Sequence, residues 1–253
     1  MIRFLSSLLL LLAFQSAWAT LDEDWLKAVG RRDVASIERL MGRGVDVNLS
    51  TKDGKTALML AAQKGRNDII VALLDAGAAV DQRNTRGGTA LMYAAVPGDQ
   101  QAVELLLLRG AAINLQSSNG WTALMIAAVK GYEDLVRTLL HHGANPNLAD
   151  IYGWTPLMRA VSENRLGVVG ILLGSKSVDV NASNDAGATA LHEAAEEGYF
   201  EIAQLLILNN ADVQRTDRKG RTPLMVATAA GHNDIVDLIN RTVAERHGAK
   251  RPR

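Results

Sequence analysis

Apolar residues along positions 21–245 fall into two alternating blocks. The first is compact: Thr122-Ala123-Leu124-Met125-Ile126-Ala127-Ala128. Its counterparts begin at Thr56, Thr89, Thr155, Thr189 and Thr222, so the threonines step by 33, 33, 33, 34 and 33 residues. The second block has apolar residues at helical spacing, as in Ile69, Ile70, Leu73 and Leu74, or Leu135, Val136, Leu139 and Leu140. Two amphipathic helices per period are predicted. A fixed period of this size is the mark of a stacked-repeat architecture, in which each unit buries its apolar face only against its neighbours.

The polar positions supply the punctuation. A turn glycine precedes each threonine: Gly54, Gly87, Gly120, Gly153, Gly187 and Gly220. The threonine hydroxyl is placed to accept a free N–H at the helix start. Pro156 and Pro223 follow their threonines at the first helical position, which suits a residue without an N–H. Paired alanines let neighbouring helices approach closely. A connector glycine follows at Gly65, Gly98, Gly131, Gly198 and Gly231, and the second helix ends at Gly77, Gly110 or Gly143. Asn-containing extended pieces such as Val45-Asp46-Val47-Asn48 lead to the next turn. Residues 21–53 form a degenerate first unit, with Trp25 and Leu26 in the slots of Leu58 and Met59. Later, Asn164 replaces the connector glycine, Gly167 and Gly170 interrupt a helix, and an extra residue follows Gly174. The unit near 153–186 is therefore expected to be the loosest.

These motifs resemble the ankyrin repeat. The family pattern Gly-x-Thr-Pro-Leu-His-x-Ala-Ala, with a leucine-rich second helix ending in Gly-Ala-Asp-Val-Asn, is matched at six consecutive starts. The resemblance implies an all-α solenoid of about seven 33-residue helix-turn-helix units with short β-hairpin loops. The units fall near 21–53, 54–86, 87–119, 120–152, 153–186, 187–219 and 220–247, together an ankyrin domain over 20–247. There is one consistent departure. Only His192 keeps the family's motif histidine; Met59, Met92, Met125, Met158 and Met225 replace it. In the family that histidine bonds within the turn network, so five units must satisfy those backbone groups otherwise, with methionine adding apolar packing.

Residues 1–19 stand outside this pattern. Arg3, an apolar run from Phe4 to Phe14 and Ala17-Trp18-Ala19 have the order of a secretory leader, cleaved after Ala19. The run is short for a membrane span, and no second one follows, so no span is expected after cleavage. The single-Arg leader and the Thr-Ala-Leu-Met style of repeat read as bacterial, which places the mature chain in the periplasm, with secretion as the alternative. Residues 248–253 form a basic tail that reads as a solvated end.

Charge and composition narrow the function. The 27 Lys and Arg balance 27 Asp and Glu, so the basic excess of a nucleic-acid binder is missing. With no cysteine there are no disulfides, thiolate metal sites or cysteine nucleophiles. There is no Gly-x-Ser-x-Gly elbow and no phosphate loop. His192-Glu193 begins like a zinc motif, but the second histidine is missing and the repeat explains His192. His141 and His142 end a helix, where a cation is favourable. No catalytic residue, cofactor or metal site is assigned, and the chain is read as not an enzyme.

Binding remains. Repeat stacks present an extended concave surface, and in the ankyrin family contacts come from turn tips and the exposed side of the first helix. Carried onto this chain, that implies a protein-binding set of Arg86, Tyr93, Trp121, Ile151, Tyr152, Trp154, Arg159, Glu163, Glu193, Glu196 and Glu197. Aromatic content is only 4%, yet Trp121, Tyr152 and Trp154 sit at adjacent turns. Exposed aromatics there would be binding anchors; packing along the row of turns is the other reading. Lys52, Lys55, Lys64 and Arg86 lie on the N-terminal side and the four glutamates on the C-terminal side. The expected partner is another protein, engaged by a monomer. What is known of exported ankyrin proteins implies an accessory to a periplasmic enzyme, such as catalase in peroxide defence. An immunity protein against a secreted toxin, or a secreted effector binding a host protein, are the alternatives.

Overall fold

A computed structural model describes residues 20–31 and 33–248, with side chains through Arg246. The leader, its cleavage point and the tail after Gly248 lie outside the described residues. Fourteen helices make up the described chain: α1 (20–31), α2 (Val34–Met41), α3 (Ala57–Gln63), α4 (Asn67–Asp75), α5 (Ala90–Ala95), α6 (Gln100–Leu108), α7 (Ala123–Lys130), α8 (Glu133–His141), α9 (Pro156–Ser162), α10 (Leu166–Leu173), α11 (Ala190–Glu197), α12 (Phe200–Leu208), α13 (Pro223–Ala230) and α14 (Asn233–Gly248). The chain divides into two compact units, 1–118 and 119–253.

Each short helix begins at its threonine. Thr56, Thr122 and Thr155 hold extended backbone, and their Oγ1 atoms accept from the N–H groups of Met59, Met125 and Met158 at 3.2, 3.1 and 3.4 Å. A cap of this kind contributes about 1 kcal/mol. The helix then buries most of its apolar run: Leu58, Met59, Ala61 and Ala62 in one repeat, Leu124, Met125, Ala127 and Ala128 in another. The long helices bury one stripe at a constant offset: Ile69, Ile70 and Leu73 in α4, Ala102, Val103 and Leu106 in α6, Leu135, Val136 and Leu139 in α8, Val168, Val169 and Leu172 in α10, and Ile202, Ala203 and Leu206 in α12. Each triplet holds positions i, i+1 and i+4, the side of a helix that faces a single neighbour layer.

The β-hairpin loops reduce to tight turns; among the described residues a single isolated bridge, Ser183 with Thr189, represents strand pairing. The turns are closed by backbone bonds in both directions, as from Thr51 N–H to the Lys55 carbonyl (3.0 Å) and Gly54 N–H to the Thr51 carbonyl (2.7 Å), or Asp150 N–H to the Trp154 carbonyl (3.0 Å) and Gly153 N–H to the Asp150 carbonyl (2.9 Å). The floor of each turn is a polar residue three positions before the glycine. Asn84 Oδ1 accepts from the N–H groups of Arg86 and Gly88, Asp150 Oδ1 from Tyr152 and Trp154, Asn184 Oδ1 from Ala186 and Ala188, and Asp217 Oδ1 from Lys219 and Arg221, all at 2.8–3.0 Å. These side chains satisfy N–H groups that no helix or sheet can reach.

Successive turns are joined backbone to backbone. In the first unit Thr85 N–H donates to the Asp53 carbonyl and Ser118 N–H to that of Arg86; in the second, Ile151 donates to Asn119, Asp185 to Tyr152 and Arg218 to Ala186. This contact requires glycine. Gly120 has φ +81°, and a Cβ there would lie 2.5 Å from Asp150 Cα. Gly220, in the last turn, shares the left-handed conformation at φ +72° but has open space around it. A second link uses the recurrent asparagine: Asn147 Nδ2 donates to the Ser177 carbonyl while its Oδ1 accepts from Asp179 N–H, and Asn181 repeats this with Asn210 and Asp212.

The irregular repeat has physical reasons. Asn164 adopts φ +53° and so performs the task of the connector glycine, as asparagine can. Gly167 makes room for Glu133, whose Oε1 would lie 1.9 Å from a Cβ at that position. Trp25 takes the leucine slot of the first unit and is fully buried.

His192 is buried at 2% exposure. Its Nδ1 accepts from Thr189 N–H at 3.2 Å, and Nε2–H donates to the Arg221 carbonyl of the next turn at 3.0 Å, which defines the neutral tautomer. Burial holds its pKa below the ordinary 6.5, against the bond to Arg221 and the charge of Asp217, which pull it up.

Two stability predictions follow from this packing. Gly220→Ala, strained only in φ, should cost about 1 kcal/mol. Gly120→Ala adds a backbone overlap and should cost about 3 kcal/mol; urea midpoints of the two variants measure the difference. For His192 the folded chain binds the proton less readily than the unfolded one. Stability is therefore complete above the unfolded pKa and falls as pH drops below about 6.5, by at most about 1.4 kcal/mol per pH unit. His192→Met, the residue of the five sibling slots, should remove that slope between pH 7 and 5 in thermal melts and leave the fold intact.

Candidate functional site

The feature that singles out the second unit is an ion pair built into a turn on a buried carboxylate. Asp150 lies beneath the turn 150–154, its side chain fully buried. One oxygen accepts the turn's two N–H groups; the other, Oδ2, accepts from Arg159 Nε at 2.9 Å and also from Nη2. Arg159 projects from α9, nine residues on, so the turn and the helix that follows it are locked together. Its guanidinium carbon lies 4.8 Å from the Trp154 ring centroid and 5.4 Å from that of Trp121. Both distances are within cation–π range. The planar cation thus spends its charge on a carboxylate and on the two indoles, which line its flanks.

This arrangement changes the reading of the aromatic row. Trp121 and Trp154 are half-buried, not exposed tips, because Arg159 gives their rings a partner. Ile151 and Tyr152 are the exposed pair, at 56% and 61%. They stand at the crest of the turn, over a floor fixed by Asp150.

The remaining candidates fall into two groups. Arg86 and Tyr93 lie in the first unit, the other nine in the second. Tyr93 occupies in α5 the slot of Arg159 in α9, and its hydroxyl accepts from Asn84 Nδ2 at 3.0 Å. It is a turn-to-helix brace of the same kind, without charge. Arg86 is exposed at its turn crest. Lys55, expected to contribute positive charge, pairs instead with Asp53 at 2.7 Å, and this bond together with that from Thr51 holds the Asp53 pKa at about 2.

Around α9 and α11 the sign is negative. Glu163, Glu196 and Glu197 are exposed, and Glu193 is half-buried. Burial first, then Glu197 and Glu196, push the Glu193 pKa up, while Arg159 pulls it down. Glu193 is therefore the acid that feels both its neighbours on α11 and the Arg159 cluster. Among the described residues no three His, Asp or Glu side chains converge as a metal-ligand set, and no helix is long and apolar enough to cross a membrane.

The position missed in the sequence is Asp150, and with it the whole row Thr51, Asn84, Asn184 and Asp217. The signal was present: a Thr, Asn or Asp recurs three residues before each of these turn glycines. Asp217 shows the same chemistry at the last turn. Its burial favours the neutral acid, but the N–H and guanidinium of Arg221 outweigh it and hold the pKa low.

The geometry agrees with the comparisons. Models of ankyrin repeats (3 copies) match residues 26–117, 96–184 and 176–245. No curated protein matches the sequence. Among solved structures, the ankyrin repeat domain of Bcl-3, described as a unique member of the IkappaB protein family, superposes with a TM-score of 0.73 at 28% identity, over 85% of this chain and 97% of that one. With repeat models matching from residue 26 to 245 and capped, glycine-turned helix pairs throughout that span, the chain belongs to the ankyrin-repeat family.

Proposed function

We propose that this protein is an exported, non-enzymatic scaffold that binds a partner protein through the turn crests and short-helix face of residues 119–248. Ankyrin repeats are protein–protein interaction modules, and that is the part of the reading the family supplies. The observation that carries the rest is the exposed Ile151–Tyr152 pair on a turn braced by Asp150, Arg159 and two tryptophans. Large apolar side chains at a wet turn crest are unusual, and a rigid crest loses little conformational freedom on binding. Export rests on the order of charges, apolar run and small residues in positions 1–19. We place the mature protein in the periplasm as an accessory to an enzyme there, with a catalase of peroxide defence as the first candidate.

Two measurements test this. In bacterial cells producing the full chain, the protein should fractionate with the periplasm and its first residue should be Thr20; an intact Met1 in the cytosol refutes export. Mature protein should retain one specific partner from periplasmic extract. Ile151→Ala with Tyr152→Ala should weaken that capture at least tenfold, about 1.4 kcal/mol, with an unchanged melting temperature. Asp150→Ala should instead destabilise the second unit by about 3 kcal/mol, because it strands the Arg159 charge. Equal capture by the crest variant and the wild type would remove the crest from the interface.

A further inference from the structure

The Ile151–Tyr152 crest and the acids of α9 and α11 also define what the partner must look like. Arg159 is the base whose charge reaches Glu193, yet its guanidinium is committed to Asp150 and the rings of Trp154 and Trp121. Arg165 turns away, its Nε donating to the Val129 carbonyl. Arg221 is held by Asp217 in the last turn. Glu163, Glu193, Glu196 and Glu197 make no ion pair among the described residues, and Asp185, whose N–H donates to the Tyr152 carbonyl, adds an exposed acid beside the crest. Arg215, Arg218 and Lys219 lie beyond, at the last turn, and are exposed. The acids are spread over α9, α11 and the adjoining turn without converging as ligands, so a single metal ion is poorly served and a string of separate cations is well served. The same sign disfavours a nucleic acid.

We propose that this face takes an extended segment of a partner protein in which lysine or arginine side chains flank an apolar residue, the bases against Glu193, Glu196 and Glu197 and the apolar group against Ile151 and Tyr152. This rests on the protein-binding reading above and adds the chemistry of the ligand. The half-buried position of Glu193, coupled to two like charges, gives a basic group most to gain there, since its arrival relieves the repulsion that the fold leaves standing.

The test uses mature protein from Thr20 to Arg253 and a displayed library of random twelve-residue peptides. Selected sequences should be rich in Lys and Arg around an aliphatic or aromatic residue. Binding of the best peptide, measured by fluorescence anisotropy, should fall at least tenfold when Glu193, Glu196 and Glu197 are all changed to Gln. It should fall at least fivefold between 50 and 300 mM salt. It should also fall with Ile151→Ala and Tyr152→Ala. Selected peptides that are neutral or acidic, yet lost with the crest variant, would overturn the basic-segment proposal and leave the protein-binding reading standing. Basic peptides indifferent to the glutamine changes would overturn it equally. A library that yields no binder that the crest variant weakens would count against both.

Discussion

The close approach of one turn's backbone to the next is the constraint on which the rest of the structure depends. At Gly120 the next turn lies where a Cβ would sit, and Gly54, Gly87, Gly153 and Gly187 are similarly crowded, within 2.7–2.8 Å of a neighbouring atom. A turn that close needs its own N–H groups satisfied from inside, which is why a buried Asp or a half-buried Asn or Thr recurs three residues earlier. The glycine and the polar floor are thus one device. The threonine cap then starts the helix at a fixed point after the turn, and the apolar stripes fall into register because the turns already have.

The loss of the motif histidine in five repeats follows from the same accounting. His192 donates to the Arg221 carbonyl, which also accepts the closing bond from Asp217 N–H. In the methionine repeats the corresponding carbonyls of Gly88, Trp154 and Ala188 still accept their closing bonds, from Asn84, Asp150 and Asn184. Methionine therefore forgoes a second bond to a carbonyl already satisfied, and fills the space with a flexible apolar side chain. What methionine gives up besides is the acceptor that His192 Nδ1 offers to the Thr189 N–H. Met225, in the repeat of α13 and α14, is 57% exposed where Met59, Met92, Met125 and Met158 are buried.

How much of this was legible in the sequence depends on how far apart the interacting residues lie. Caps, turn glycines and apolar stripes are local and repeat every 33 residues, so the helices and their buried sides could be read directly. The asparagine ladder was visible as a recurring residue but not as a bond, since Asn147 reaches a carbonyl 30 residues on. The partner of the tryptophans was hidden for a sharper reason. Trp121 and Arg159 are 38 positions apart, and Asp150 holds the arginine from a different turn. No periodic rule pairs them. The hint lay in the slot nine residues after the turn floor, where Tyr93 answers Asn84 as Arg159 answers Asp150. Export and the role of the basic tail concern residues outside the described structure, and the sequence alone speaks for them.

The Arg159 cluster also explains why an exposed crest can sit on so polar a support. A turn carrying Ile151 and Tyr152 gains nothing from burying them itself, because the polar floor lies directly beneath. Its rigidity has to come from below: two N–H bonds to Asp150, a paired guanidinium, and two indoles closing its flanks. Tyr93 gives the equivalent turn of the first unit one neutral hydrogen bond instead. The stiffer brace and the exposed apolar pair occur in the same repeat. A crest held in a single shape presents its apolar groups without the ordering cost that a mobile loop would bring to an interface. That coincidence, more than the presence of aromatic residues, is what the docking proposed at this turn rests on.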